Sequence, residues 1–237
     1  MLKNKALLFL LFFSTILTYS QTTDEEKALY KWFDDKVGQE NTGILDGIAY
    51  RELYKTKNGD HQFYAFSSFQ KGNITYNGQY YFDVEMKYDI HNDEIIVKIP
   101  TQTVTHIIQL IKENVNEFSI NNSKFILLQD GFYEVLSKTK TLSLYKKHKK
   151  TSTKYYSGRF IFYHFNKSKD EYLMYLNNEY QEITKSKNSF IKVLPEYKNE
   201  INLFYKSQND LFNRDYDSFV KELISLLNNK LLNNAHK

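Results

Sequence analysis

The chain has no cysteine, two prolines, one tryptophan and only three arginines (Arg51, Arg159 and Arg214) in 237 residues. Without cysteine there is no thiol nucleophile, no thiolate-ligated zinc and no cysteine to carry a lipid anchor behind a leader. A chain of this length buries enough apolar surface to fold without disulfide staples. With so little proline beside 20 Tyr and 18 Phe, the composition favours strands over disorder. Scarce arginine amid abundant lysine removes the planar forks that phosphate and carboxylate readers favour, although an AT-rich genome leaves the same footprint. The formal charge is +4, and Lys3 and Lys5 supply +2 of it, so residues 21–237 carry 4 − 2 = +2 with both signs interspersed. That balance calls for no nucleic-acid partner.

Long apolar runs are also missing, with one exception. Lys3 and Lys5 precede an uncharged run from Ala6 to Leu17, and Thr18-Tyr19-Ser20 leads into a polar stretch at Gln21. This is the layout of a secretory leader, residues 1–20. The run is too short for a span, which needs about 20 residues. Residues 21–237 then form a single β-rich domain working in the periplasm or outside the cell, with no transmembrane helix once the leader is removed.

Asp24 to Lys36 reads as a short amphipathic helix with Leu29, Trp32 and Phe33 on one face. Trp32 is expected in the core, a sugar-stacking or interface role being the alternative. From Ile48 to Phe165 the apolar period is two. Asn58-Gly59 and Asn77-Gly78 are hairpin signals between apolar runs, the first joining Tyr50–Tyr54 to His61–Phe66. The strand after Gly78 is expected to bury Tyr80, Phe82, Val84, Met86 and Tyr88, leaving Tyr81, Asp83, Glu85, Lys87 and Asp89 wet. Further strands fall at Glu94–Ile99, Thr105–Ile111, Phe118–Ile120, Phe125–Leu128, Phe132–Leu136 and Thr141–Tyr145. Gly158–Phe165, apolar on both faces, reads as a central strand, and Asn177-Asn178 closes a last hairpin. The period then becomes helical over about 187–232. Pro195 opens one helix. Asp215 or Asp217 caps another that carries Phe219, Val220, Leu223, Ile224 and Leu227. The expected fold is a β-rich α+β class: an antiparallel meander of about ten strands, a short N-terminal helix and two C-terminal helices.

No nucleophile elbow, zinc-protease helix, phosphate loop or dinucleotide fingerprint is present. S-x-x-K occurs at Ser137–Lys140 and Ser143–Lys146 without the partner motifs that would give it meaning. The six histidines (His61, His91, His106, His148, His164 and His236) are scattered singly, with no ligand spacing. Asp89, Asn92, Asp93 and Glu94 make an oxygen-rich turn, read as solvated, a cation being the alternative. Lys146-Lys147-His148-Lys149-Lys150, followed by Lys154-Tyr155-Tyr156, is the densest positive cluster. It reads as a lysine-blunted turn between strands, against which stands contact with anionic headgroups, an acidic polysaccharide or a partner protein. No catalytic, cofactor-binding or metal-ligating residue is assigned.

The leader ending Tyr19-Ser20-Gln21, the run Gly78-Gln79-Tyr80-Tyr81-Phe82-Asp83-Val84-Glu85-Met86-Lys87-Tyr88-Asp89, and the closing Tyr180-Gln181-Glu182-Ile183 with Phe190-Ile191-Lys192-Val193-Leu194-Pro195 resemble uncharacterised secreted proteins of flavobacteria and related Bacteroidetes. The resemblance implies a Gram-negative envelope location and brings no activity. The function expected is therefore a non-catalytic envelope module binding another envelope protein, a lipid or a glycan. The alternative is a carrier of lipid or another small apolar ligand. A hydrolase built from dispersed groups such as Asp83, Asp89 and His91, and a transmembrane barrel, come after these.

Overall fold

The computed structural model describes residues 24–38, 42–101, 103–139 and 141–235. The leader expected at residues 1–20 lies outside them, as do Lys140 and His236. Among the described residues there are thirteen strands, eleven in one antiparallel sheet ordered β1-β5-β4-β3-β2-β6-β7-β8-β9-β12-β13, in which β4 is Glu94–Pro100, and two in a separate ribbon, β10-β11. Helix α1 (Asp24–Val37) precedes the sheet. Helices α2 (Lys187–Val193), α3 (Lys198–Ser207), α4 (Asn209–Arg214) and α5 (Tyr216–Ala235) follow it. This is the β-rich meander with terminal helices that the periodicity implies. No described helix is long and apolar enough to cross a membrane.

The asparagine-led turns set the registers. Asn77-Gly78 joins β2 (Gln70–Tyr76) to β3 (Gln79–Asp89), Asn121-Asn122 joins β6 (Val115–Ile120) to β7 (Ser123–Leu128), and Asn177-Asn178 joins β12 (Glu171–Leu176) to β13 (Glu179–Ile183). All six residues have positive φ, which the tightest hairpin turns demand. Asn58-Gly59 also turns with positive φ, yet it closes no hairpin. Its flanks find different partners: Lys55 O accepts from Tyr163 N at 2.9 Å, whereas Phe63 bridges Asp89 of β3.

β3 corrects a second expectation. Tyr81 is buried and Tyr80 is exposed, the reverse of strict alternation. A bulge shifts the β2–β3 register between Gly72 and Ile74, and Asp83 takes φ +53° with its N–H donating to Asn73 Oδ1 at 3.1 Å. The extra residue moves the inward phase by one, so Tyr81 points in before the bulge and Val84, Met86 and Tyr88 after it. Gly72 is required there, because a Cβ would lie 2.3 Å from Ser119 O.

The sheet from β1 (Gly47–Ala49) to β8 (Gly131–Ser137) curls over its own inner face. β3 and β8 are four strand steps apart, roughly 19 Å in a flat sheet. Yet the Tyr88 and Phe132 rings stand with centroids 5.9 Å apart, and Phe118 stacks on Phe125 at 4.8 Å between them. The space so enclosed is filled by Tyr76, Tyr88, Phe118, Phe125 and Phe132 with aliphatic side chains from β2 to β8. A second core forms where α2, α3 and α5 cover β9 (Leu142–Lys147), β12 and β13. There Phe219, Leu223, Ile224 and Leu227 of α5 are fully buried, as their spacing implies. Asp215 provides the cap, accepting from Ser218 N at 3.1 Å, and the short α4 is an element the periodicity did not reveal.

Two further expectations are overturned. Gly158–Phe165 is no central strand: β11 (Phe160–Lys167) pairs only with β10 (Lys150–Ser157). Trp32 is no core residue, being 58% exposed, with Leu29 and Phe33 also open. α1 touches β3 by another face. Tyr30 packs against Tyr80 and Phe82, Lys27 lies over the Phe82 ring, and Lys31 pairs with Asp83.

Candidate functional site

The lysine-rich segment does link two strands, β9 and β10, as expected, but its first three residues are buried where a lysine-blunted turn was expected, and Lys149 alone is exposed. Lys146, Lys147 and His148 are each less than a tenth exposed. β9 lies between β8 and β12, and its Leu142 and Leu144 pack under α5. Two-residue alternation then carries the same row on to Lys146 and His148, where the first turn of α5 begins. At that boundary apolar partners give way to carboxylates.

Lys146 Nζ donates to Asp217 Oδ2 at 2.5 Å and lies 3.2 Å from Asp170 Oδ2. Tyr172 OH donates to the other Asp217 oxygen at 3.0 Å. His148 Nε2 is 2.6 Å from Glu134 Oε2, and Ser123 donates to Glu134 Oε1 at 2.7 Å, with Tyr64 OH 3.0 Å from that hydroxyl. His148 Nδ1 faces Asp170 Oδ1 at 3.9 Å. That oxygen makes no hydrogen bond among the described residues. On the opposite face of β9, Lys147 pairs with Asp130 at 3.1 Å and lies over the Tyr133 ring. Burial alone would lower the Lys146 ammonium, but Asp217 and Asp170 outweigh it and hold it above its ordinary value. Burial alone would raise Glu134, but the bonds from His148 and Ser123 outweigh it and hold the carboxyl low. The network therefore sits at the seam of the two cores with Lys146 and Glu134 both held in their charged forms.

Beside it opens a cleft of about 890 Å³ along β12, β13 and the β11–β12 connection. Asp170 and Tyr172 belong to both network and cleft, and Tyr133, Lys169, Glu182 and Lys185 form walls of both signs. Burial and Asp130 push the Tyr133 hydroxyl up to about 12, and it donates to Asp130 Oδ1 at 3.4 Å.

The other sequence candidates lie apart. Asp89 is buried, its oxygens accepting from His91 N, Asn92 N and Asn92 Nδ2 at 2.9–3.0 Å, and burial raises its pKa. Asp93 turns the other way, to Tyr88 OH at 2.7 Å and Lys112 at 2.6 Å. The hairpin turn is thus solvated at Asn92 and half-buried at Asp93 and Glu94, and the reading of it as solvated is corrected at Asp89. Asp83 stands at the β3 bulge, paired with Lys31 of α1, and shares no partner with Asp89 or His91, so the three do not form one constellation. His91 contacts Lys150 O and Ser152, and His164 contacts Asp60 at 2.7 Å. His61 lies half-buried and His106 on β5 (Thr105–Leu110). Among the described residues no three His, Asp or Glu side chains converge as metal ligands. Ser143 bonds within its own turn to Thr139 O, and Lys146 is committed to carboxylates.

Sequence reasoning missed the network because its partners are remote: Lys146 and Asp217 are 71 residues apart. One signal was available. Residues 146–169 hold eight basic residues and no acidic one, so any neutralising group for a buried lysine has to come from elsewhere in the chain. No protein-family model, curated protein or solved structure matches the chain.

Proposed function

We propose that the protein is a non-catalytic binding module of the cell envelope, which receives its partner in the cleft along β12 and β13. The observation carrying this reading is that five polar groups beneath the cleft are committed to one another, while Asp170 keeps one oxygen without a hydrogen bond among the described residues. Lys146, Asp217, Tyr172, His148 and Glu134 are each held by another member of the set. Groups so locked are poor proton shuttles and good fixed supports for a polar partner. The mixed-sign wall suits a hydroxyl-rich or zwitterionic ligand such as a glycan or peptide. The aromatic filling of the curled sheet favours binding on the outside over carriage of an apolar ligand within. The basic, apolar, then polar opening of the chain supplies the address.

Fractionation of cells expressing the full chain tests the reading. The proposal expects the protein in the periplasmic or membrane fraction, with an N-terminus at or near Gln21. Recovery from the cytosol with residues 1–20 intact contradicts it.

A further inference from the structure

The β10–β11 ribbon ends in an apolar tip that the body of the protein leaves uncovered. Register runs from Lys150 opposite Lys167 to Ser157 opposite Phe160, leaving a two-residue turn at Gly158-Arg159. Gly158 takes φ +62° there, a conformation open to glycine. The base of the ribbon is anchored. Phe162 and Phe165 are buried, Asp60 accepts from Phe165 N at 2.8 Å, and Tyr163 N bonds to Lys55 O. The tip is open: Tyr156 is 77% exposed and Phe160 60%. Ile161 lies opposite Tyr156 and is open with it.

Charge at the tip has one sign. Residues 150–167 include Lys150, Lys154, Arg159 and Lys167 and no acidic residue. The neighbouring loop adds Lys55, 3.9 Å over the Phe160 ring, and Lys57, 4.2 Å over the Phe162 ring. Asp60, the acid nearest in that loop, is spent on His164 and Phe165. A ring of cations around exposed aromatic side chains matches a bilayer surface. Tyr settles at the headgroup level with its hydroxyl wet, Phe buries its ring at the headgroup–acyl boundary, and lysines on long stems reach anionic phosphates. A soluble acidic polymer would satisfy the cations and leave Phe160 and Ile161 in water.

We infer that the ribbon tip is a docking site for an anionic phospholipid bilayer, with Tyr156, Phe160 and Ile161 entering the headgroup region and Lys55, Lys57, Lys154 and Arg159 meeting the phosphates. This deepens the envelope-module reading by naming a second surface and its partner. The two fail separately, because fractionation addresses the leader and vesicle binding addresses the tip.

The test is co-sedimentation of the full chain with vesicles of phosphatidylcholine, with and without phosphatidylglycerol. A Tyr156→Ser, Phe160→Ser variant with the same N-terminus is run in parallel, so that any difference belongs to the tip. Circular dichroism matching the wild type establishes that the variant folds. Binding is expected only with phosphatidylglycerol, to weaken as salt rises past about 0.1 M, where screening reaches contact distances, and to fall about ten-fold in the variant. Equal binding to neutral vesicles, no binding to anionic ones, or an unchanged variant overturns the inference. A second chain, Trp32→Phe with Tyr156→Trp, puts the sole indole at the tip. Its emission should shift to the blue on mixing with phosphatidylglycerol vesicles, and an unmoved spectrum overturns the inference independently.

Discussion

Lys146 shows how far a side chain's role depends on residues distant in sequence. It stands in a run that looks made for water, yet its ammonium is held by Asp217 and Asp170 in a nearly closed site. Removing one member of a buried ion set strands the others, so Lys146→Met should cost about 3 kcal/mol in denaturant unfolding. Lys149, paired with Glu171 at the surface, should tolerate the same change within about 0.5 kcal/mol. Glu134 makes the acid side of the same argument. Its carboxyl is held below its ordinary 4.5, so it contributes stability above that value and loses it as pH falls through the folded-state pKa. Asp89, raised by burial, has the opposite slope. Melting temperatures followed from neutral pH downward should therefore drop less steeply in Glu134→Gln, which starts from lower stability. Parallel curves would contradict this. Neither role was legible locally: the run Lys146 to Lys150 gives the charges, while the carboxylates that hold Lys146 and His148 are supplied by β8, the β11–β12 connection and α5.

The elements were legible where local chemistry decides them. Asn-Gly and Asn-Asn pairs accept positive φ, and three such pairs close the hairpins their flanking alternation implies. The helical spacing of Phe219, Val220, Leu223, Ile224 and Leu227 marks the buried face of α5 for the same reason. Failures occur where one residue changes the phase or where partners are absent. The bulge at Gly72 and Asp83 swaps Tyr80 and Tyr81, and no alternation rule contains an insertion. Gly72→Ala should bring a methyl against Ser119 O and the Met86 sulfur, costing about 1–3 kcal/mol, read as a lower midpoint in denaturant at unchanged slope. Apolar residues on both faces of β11 suggested a central strand. Phe162 and Phe165 of β11 are covered by Lys55, Lys57 and Tyr54, whereas Phe160 and Ile161 at its start stay exposed.

At the scale of the whole molecule, the chain solves two burial problems with one sheet. The first eight strands curl over an aromatic interior, and the later strands are covered by the C-terminal helices. The row of charges from β9 lies at the seam, with the His148 ring against Phe125 of the first core and Lys146 over Tyr172 of the second. On the ribbon, by contrast, Lys154 and Arg159 meet solvent beside Tyr156 and Phe160. The account rests on that partition of the lysines, and lysine acetylation of the folded full chain, mapped by mass spectrometry, tests it most directly. Lys146 and Lys147 should stay unmodified until the protein is denatured, while Lys149 and Lys154 react at once. Equal labelling of all four in the native protein would contradict it.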